Sequence, residues 1–233
     1  MSGSEDGNPG PEQIMKKLTF VALICLFCSL PAFGSTMEAV SSTEITASPG
    51  SGQVSNEVKT SKTGYVLFII PQYNFPDDEY TIPKVIISRA GYTVEVASTS
   101  TRELALGTDI IKVRPNLTIE QIDPDKYDAV VMTGGYLSKK FYENPVLIQK
   151  MTEFKSKGKL ICAMDNIPLF LAKWGLLKDV KVTVHPSLIK DIKKMGINYV
   201  EKDIVVDKNF ITVNIYKFSD AFASEVVQEL SKR

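Results

Sequence analysis

Residues 159–177 read KLICAMDNIPLFLAKWGLL, and this stretch decides the fold of the chain. The continuous apolar run over 160–164 is typical of a strand that is buried on both faces. A polar pair that begins with Asp165 follows it. Apolar residues then recur at helical spacing from Pro168 until Gly175 ends the pattern. The stretch therefore predicts a buried strand, a sharp corner and a helix that opens at a proline.

The corner between this strand and helix is the first candidate for a functional site. In an open α/β sheet such a corner lies at the carboxyl end of a strand and directs a side chain into the crevice where ligands bind. The directed residue is predicted to be Asp165, and the free N–H groups of helix 167–174 would favour its negative charge. The alternative is that Asp165 only caps the helix, a role that aspartate fills well.

Outward from this stretch, strand patterns alternate with helix patterns. Strands are predicted at 65–70, 93–97, 110–113, 127–132, 181–184, 204–206 and 210–213, and helices at 79–90, 145–157, 187–195 (capped by Ser187) and 219–231. The alternation predicts an α/β fold over 64–233. It is a flavodoxin-like, doubly wound, mostly parallel sheet with helices on both faces, an α/β/α sandwich. Loops 71–79, 133–136, 165–168 and 185–187 then meet at the carboxyl edge, where a small-molecule ligand is expected.

The N-terminal region is predicted to lie outside this domain. Residues 1–14 are polar and resemble a tag or an over-extended start. Residues 15–34 hold two lysines, an apolar run and small residues, the layout of a signal peptide cleaved near Gly34. Residues 35–63 are rich in Ser, Thr and Gly and predict a flexible linker. The protein is therefore expected to be exported, to the periplasm or the cell exterior. A membrane contact would require that the signal segment stay uncleaved as an anchor.

The composition excludes several classes of function. The 233 residues include 27 basic and 27 acidic side chains, so there is no basic field to attract nucleic acid. No motif indicates a cofactor. Two of the three cysteines lie in the signal segment, and only Cys162 would remain after processing. A lone cysteine cannot form an intramolecular disulfide framework, and this one is predicted to be a buried core residue.

Four sequence elements in order resemble one known family. They are Glu79 four residues before a proline, YDAVVMTGG at 127–135, the 159–177 stretch, and KVTVHP ending at Pro186. This set resembles the PfpI-like intracellular proteases of the DJ-1/PfpI superfamily, a branch of the class I glutamine amidotransferase-like proteins. The resemblance spans roughly 64–233 and implies a homodimer. Aligning on Pro168 puts the family's nucleophilic cysteine position at Asp165.

The resemblance also implies roles for the remaining candidate residues. Glu79 corresponds to the acid that hydrogen-bonds the reactive sulfur, and His185, the one histidine in the chain, to a site histidine. The predicted catalytic set is Asp165, Glu79 and His185, and the predicted substrate-binding set is Gly134, Gly135 and Asn166. Simpler interpretations remain open: a first-turn helix acid, a packing histidine and a tight glycine turn. Glu79 and Asp165, if close, should share one proton.

Three hypotheses about function follow. The first is an exported member without thiol catalysis that serves as a binding or chaperone-type module. The second is a hydrolase or lyase in which Asp165 and Glu79, with His185, act on a small carbonyl or amide compound. The third is a divalent metal site formed by the same three side chains, which no ligand spacing supports. Cysteine-dependent protease or glyoxalase activity is not expected.

Overall fold

The computed structural model describes residues 64–135 and 139–233, and the domain within them is built on strands that alternate with helices. The strands are β1 Tyr65–Ile69, β2 Tyr73–Phe75, β3 Thr93–Ser98, β4 Ala105–Gly107, β5 Lys112–Val113, β6 Leu117–Thr118, β7 Ala129–Met132, β8 Leu160–Met164, β9 Lys181–Val182, β10 Asn198–Tyr199, β11 Ile204–Asp207 and β12 Phe210–Val213. The helices are α1 Asp77–Arg89, α2 Lys139–Tyr142, α3 Pro145–Ser156, α4 Ile167–Lys173, α5 Ile189–Lys194 and α6 Ser219–Ser231.

The central sheet has seven strands in the order β11-β12-β8-β7-β1-β3-β6. Every pairing in it is parallel except that of β11 with β12, which form the predicted hairpin. The chain winds outward in one direction from β1 to β3 and in the other from β7 to β8. The switch between these directions falls between β1 and β7, and ligands bind at such a point in open α/β sheets. The predicted flavodoxin-like, doubly wound fold is confirmed.

The sheet separates two apolar cores, as a strand buried on both faces requires. On one face α1 and α6 pack against the sheet, with Ile87 and Phe222 fully buried. On the other face α3, α4 and α5 bury residues such as Phe154 and Leu171. Both sides of β8 contribute, because Ile161 belongs to one core and its neighbour Cys162 to the other. This two-sided burial explains why the strand reads as an unbroken apolar run.

Several predicted elements differ from the structure in their bounds or partners. Helix α1 begins at Asp77, two residues before the predicted start, and β5 covers only 112–113 of the strand predicted at 110–113. Strands β2 and β4 and helix α2 were not predicted. Strand β5 joins β2 and β4 in a separate three-stranded sheet. Such short strands carry too little periodicity to be recognised, because their pairing is set by tertiary contacts.

Two predictions near His185 were wrong in detail. The predicted strand 181–184 is shortened to β9, which pairs with β10 in a two-stranded sheet. The predicted helix 187–195 is a 3₁₀ turn over Pro186–Leu188 followed by α5, and its cap is not Ser187. Instead, the backbone N–H of Ser187 donates to the His185 ring. A proline after the histidine favours this tight turn.

The predicted tag, signal peptide and linker at 1–63 lie outside the described residues. In the ranges 64–135 and 139–233, no helix combines the length and the apolar character that a membrane span needs.

Candidate functional site

Asp165 lies at the corner between β8 and α4, as the sequence predicts. Its φ of 55° is in the left-handed region, which costs a non-glycine residue free energy. The N-cap of α4 is Asn166, and no side chain caps the helix. The interpretation of Asp165 as a simple helix cap therefore does not describe the corner. The strained backbone places the Asp165 carboxylate over the carboxyl edge of the sheet.

Glu79 enters the same site from the first turn of α1. Its side chain is almost fully buried, with 1% of the residue exposed. The carboxylate Oε2 accepts a hydrogen bond of 2.6 Å from the backbone N–H of Gly134, directly after β7. The interpretation of Glu79 as a mere first-turn helix acid does not explain this contact. The bond joins the residues that follow β1 and β7 across the switch point of the sheet.

The carboxyl groups of Glu79 and Asp165 both lie against Gly134. A β-carbon at position 134 would stand 3.0 Å from Asp165 Oδ2 and 3.1 Å from Asn166 Oδ1. Only a glycine leaves room for this approach. The sequence predicts that Gly134 binds substrate. Its N–H already donates to Glu79, so this N–H is not free to bind a substrate oxygen. Gly135 has a φ of 150°, a conformation that suits glycine.

The two carboxyl groups influence each other's ionisation. Burial, and then the charge of Asp165, raises the pKa of Glu79 to about 8, against the opposing effect of the Gly134 N–H. Burial also raises the pKa of Asp165, while His185 and the Asn166 N–H oppose the rise. The raised pKa of both carboxyl groups is the condition that the predicted sharing of one proton requires.

His185 lies beside Asp165. Its Nε2 is 3.9 Å from Asp165 Oδ1, and its backbone N–H donates to the Asp165 carbonyl oxygen at 3.0 Å. The other ring nitrogen, Nδ1, is 2.8 Å from Ser187 Oγ. His185 thus lines the same cavity as Asp165, and its role in a reaction or in binding stays a prediction. Ser187, which the sequence suggested only as a helix cap, is brought to the site with it.

A cavity of about 510 Å³ opens in front of these groups. It is lined by Asp165, Asn166, Leu169, Phe170, His185, Ser187 and Leu188. Its polar groups lie at one end and its apolar wall comes from α4 and the turn before α5, the mixture typical of small-molecule sites. The buried Asn166 Oδ1 has no hydrogen-bond partner among the residues that the structure describes.

Cys162 is not part of this cavity. It is 0% exposed, it belongs to the core between the sheet and the α1–α6 layer, and burial raises the pKa of its thiol. It is the one free cysteine in the described part of the chain. The prediction of an inert core cysteine agrees with this position, since a buried neutral thiol is a poor nucleophile.

The described residues offer no ligand cluster for the divalent metal site of the third hypothesis. Within 64–135 and 139–233, no three His, Cys, Asp or Glu side chains converge closely enough to hold a metal ion.

The buried phenol of Tyr142 donates to the Thr133 carbonyl oxygen at 2.9 Å and stacks on Phe170 at 4.4 Å between ring centroids. Tyr142 thus supports the wall of the cavity from behind, a role that the sequence did not reveal because α2 is only four residues long.

Comparison with known proteins agrees with the architecture of this site. The model of the DJ-1/PfpI family matches residues 65–229. The chain belongs to the DJ-1/PfpI family. A relative of this DJ-1/PfpI domain is the uncharacterised protein MJ0967 of Methanocaldococcus jannaschii, 35% identical over 182 residues that cover 76% of this chain and 88% of the relative. Deglycase PH1704 of Pyrococcus horikoshii is 27% identical, with 71% of this chain and 98% of the relative covered.

Solved structures of other DJ-1/PfpI proteins resemble the domain. A ThiJ/PfpI domain protein from Brachyspira murdochii is 26% identical with a TM-score of 0.70, covering 74% of this chain and 99% of that protein. Drosophila melanogaster DJ-1beta is 27% identical with a TM-score of 0.65, covering 73% and 92% respectively. The recognition of this family from four sequence elements is therefore confirmed, while the roles of individual site residues remain predictions.

Proposed function

We propose that this protein is a DJ-1/PfpI member that works without a thiol and binds a small polar ligand in the cavity beside Asp165. One observation carries the proposal. Asp165 stands at the strained corner and faces the cavity, whereas Cys162 is enclosed in the core. A cysteine can act as a nucleophile only where its thiolate can form and meet a substrate. A binding or chaperone-type role follows.

The chemistry of the cavity suits a small carbonyl or amide compound. The Glu79–Asp165 pair shares a proton, so the site presents a carboxylate that accepts hydrogen bonds from a ligand amide. The Asn166 side chain, whose Oδ1 has no partner in the described residues, lines the same cavity and supplies a second polar group. Leu169 and Phe170 on the apolar wall would cover the rest of the ligand. Polar groups that converge at one end of an apolar pocket fix the orientation of what binds there.

Titration calorimetry with a panel of small amides, carboxamides and 2-oxo compounds tests binding. Asp165→Asn should weaken binding of a hit by roughly tenfold or more, because it removes a charged hydrogen-bond acceptor. Ser224→Ala is the matched control, since Ser224 Oγ bonds only to a backbone carbonyl oxygen on α6. Equal affinity in Asp165→Asn and the wild type would reject this cavity as the ligand site.

The absence of thiol catalysis is tested separately, with the activity for which several relatives are named. Proteins called deglycases occur in Pyrococcus abyssi, P. horikoshii and P. furiosus. We expect the wild type to show no turnover of glycated amines that iodoacetamide inhibits. The Asp165→Cys variant should gain a turnover that iodoacetamide does inhibit. Turnover by the wild type that Cys162→Ser abolishes would contradict the proposal.

A second candidate is a hydrolase or lyase that uses the carboxyl pair. The observation that favours it is the pKa of Glu79, which at about 8 lies close to neutrality, where a general acid works best. Asp165 would act as base or nucleophile and His185 would orient it. The test is turnover of an amide or carbonyl compound by the wild type. A rate that falls by roughly 100-fold or more in both Asp165→Asn and Glu79→Gln would favour the enzyme over the binding module.

We also propose that the protein is exported after cleavage near Gly34, on the strength of the lysines and the apolar run at 15–34. Expression of the full chain in a host with a secretory pathway tests this. The mature protein should begin near Ser35 by intact mass and be recovered outside the cytoplasm. Full-length protein in the cytoplasmic fraction would reject export.

A further inference from the structure

The neighbourhood of Asp165 contains a hydroxyl group that the proposed function does not use. Ser187 is solvent-exposed and lines the 510 Å³ cavity together with Asp165 and His185. Its Oγ is 2.8 Å from His185 Nδ1, and His185 Nε2 is 3.9 Å from Asp165 Oδ1. A hydroxyl, an imidazole and a carboxylate thus follow one another along the wall of a single cavity.

The hydrogen bonds around the imidazole determine which way the Ser187 proton points. The backbone N–H of Ser187 donates to His185 Nδ1 at 3.3 Å. An N–H can donate only to a lone pair, so this contact favours the tautomer with a lone pair on Nδ1 and the hydrogen on Nε2. Nε2 is the nitrogen that faces Asp165, whose carboxylate favours this tautomer. Ser187 Oγ therefore donates its proton to Nδ1, and its own lone pairs are free towards the cavity.

We propose that Ser187 is a nucleophile for acyl transfer from small esters, with His185 as its general base and Asp165 as the group that orients the ring. The same three functional groups, recognised by geometry and roles, activate serine on unrelated folds. Here the serine uses Nδ1 of the histidine and the carboxylate faces Nε2. This activity goes beyond the proposed ligand binding, although it uses the same cavity.

The reaction balances with the groups in place and water. Ser187 Oγ attacks the ester carbonyl carbon, the Oγ–C bond forms, and the Oγ proton moves to His185 Nδ1. The carbonyl electron pair moves to the oxygen and returns when the bond to the leaving alkoxide breaks, and that alkoxide takes the proton from Nδ1. Water then attacks the acyl-serine with the same proton transfers, which releases the acid and restores Ser187.

Two further features of the cavity suit an ester substrate. The side-chain amide of Asn166 lines it without a hydrogen-bond partner in the described ranges, so its N–H₂ group can turn to the developing oxyanion. The apolar wall formed by Leu169, Phe170 and Leu188 accommodates a short acyl chain. Small acyl esters therefore fit better than peptides, which would extend well beyond the cavity.

Labelling with a fluorophosphonate tests the nucleophile directly. The full-length protein should gain one phosphonyl group by intact mass, on the peptide that contains Ser187. Ser187→Ala should lose that label, and Ser224→Ala should keep it. No label, or a label that survives in Ser187→Ala, would overturn the proposal. Ser187 is exposed, so its alanine variant should fold, and unchanged thermal unfolding verifies this.

Hydrolysis of p-nitrophenyl acetate and butyrate tests the roles of the partners. The rate should fall by roughly 100-fold or more in Ser187→Ala and in His185→Gln, the size of a general-base contribution. Ser224→Ala should match the wild type. Equal rates in Ser187→Ala and the wild type would overturn the proposal. Calorimetry with an amide ligand on the same Ser187→Ala protein reports separately on binding at Asp165, so each proposal can fail without the other.

Discussion

At the scale of single residues, the site depends on Glu79 being buried beside another acid. The Gly134 N–H holds the Glu79 carboxylate in place, but burial and the Asp165 charge keep it protonated up to a pH of about 8. A carboxyl group in this state can donate one hydrogen bond and accept another. The two acids together produce this environment, and one side chain alone could not provide it.

The raised pKa of Glu79 predicts how stability depends on pH. In the folded protein Glu79 keeps its proton up to about pH 8, whereas in the unfolded chain it loses that proton above its ordinary pKa of 4.5. The stabilisation by this proton is therefore complete below pH 4.5 and disappears by about pH 8. Relative to Glu79→Gln, the wild type should lose up to about 1.4 kcal/mol of unfolding free energy per pH unit in this window.

Chemical denaturation from pH 4 to 9 measures this difference. Glu120→Gln, at an exposed position, is the control and should follow the wild type. Parallel curves for the wild type and Glu79→Gln would mean that Glu79 titrates as an ordinary acid.

The contact at Gly134 gives a second prediction at this scale. In Gly134→Ala, the new methyl group would meet Asp165 Oδ2 at 3.0 Å and Asp165 Cβ at 3.2 Å. We expect a loss of about 2 kcal/mol of unfolding free energy from this overpacking. Asp165→Gly removes both contacting atoms, so the double variant should recover part of the loss. Additive effects in this double-mutant cycle would show that the two residues do not compete for space.

At the scale of elements, Asp77 joins the start of α1 to the β4–β5 hairpin. Its Oδ2 accepts the N–H groups of Ile110 and Ile111, each at 2.9 Å, and the lack of a side chain at Gly107 makes room for it. Burial tends to raise the pKa of Asp77, but the backbone N–H groups more than offset this, so the pKa is lowered. One carboxylate therefore ties the hairpin to α1, in addition to the apolar contacts that Ala105 and Val113 make with the core.

Removing this carboxylate should detach the hairpin. Asp77→Ala is expected to cost about 3 kcal/mol of unfolding free energy, because several N–H groups lose a charged acceptor. Since the pKa of Asp77 is lowered, its contribution is present above pH 3.8 and is lost as the pH falls further. Asp78→Ala, at the exposed neighbouring position, should change stability by less than about 0.5 kcal/mol.

Denaturant titrations of the two variants, and amide hydrogen exchange at Ile110 and Ile111, measure the effect. Unchanged protection of these two amides in Asp77→Ala would contradict the assigned role.

At the scale of the whole molecule, membership of the DJ-1/PfpI family predicts a homodimer. Sedimentation equilibrium on purified protein should therefore give twice the mass of one mature chain at micromolar concentration. A mass equal to one chain would contradict this prediction. If the dimer forms, thermal unfolding should shift upward with protein concentration, since association stabilises the folded chain by mass action.

Local patterns in the sequence are enough to predict the main elements. A strand such as 160–164 can be recognised from its unbroken apolar run, because both sides of a central strand are buried. Helix α6 was predicted with its exact bounds, 219–231, because its apolar residues recur at helical spacing. The three-stranded sheet is not predicted, since pairing between strands set by tertiary contacts forms it, and the 3₁₀ turn at His185 is too short to show a periodicity.

The sequence by itself determined the order of strands and helices, the corner at Asp165 and the family. Only the tertiary structure decided that Glu79 and Asp165 both approach Gly134, and that Asp165, His185 and Ser187 line one cavity. The physical reason is one of range. Hydrophobic periodicity acts over a few residues, whereas these approaches depend on distances of a few ångströms between loops that are far apart in the chain.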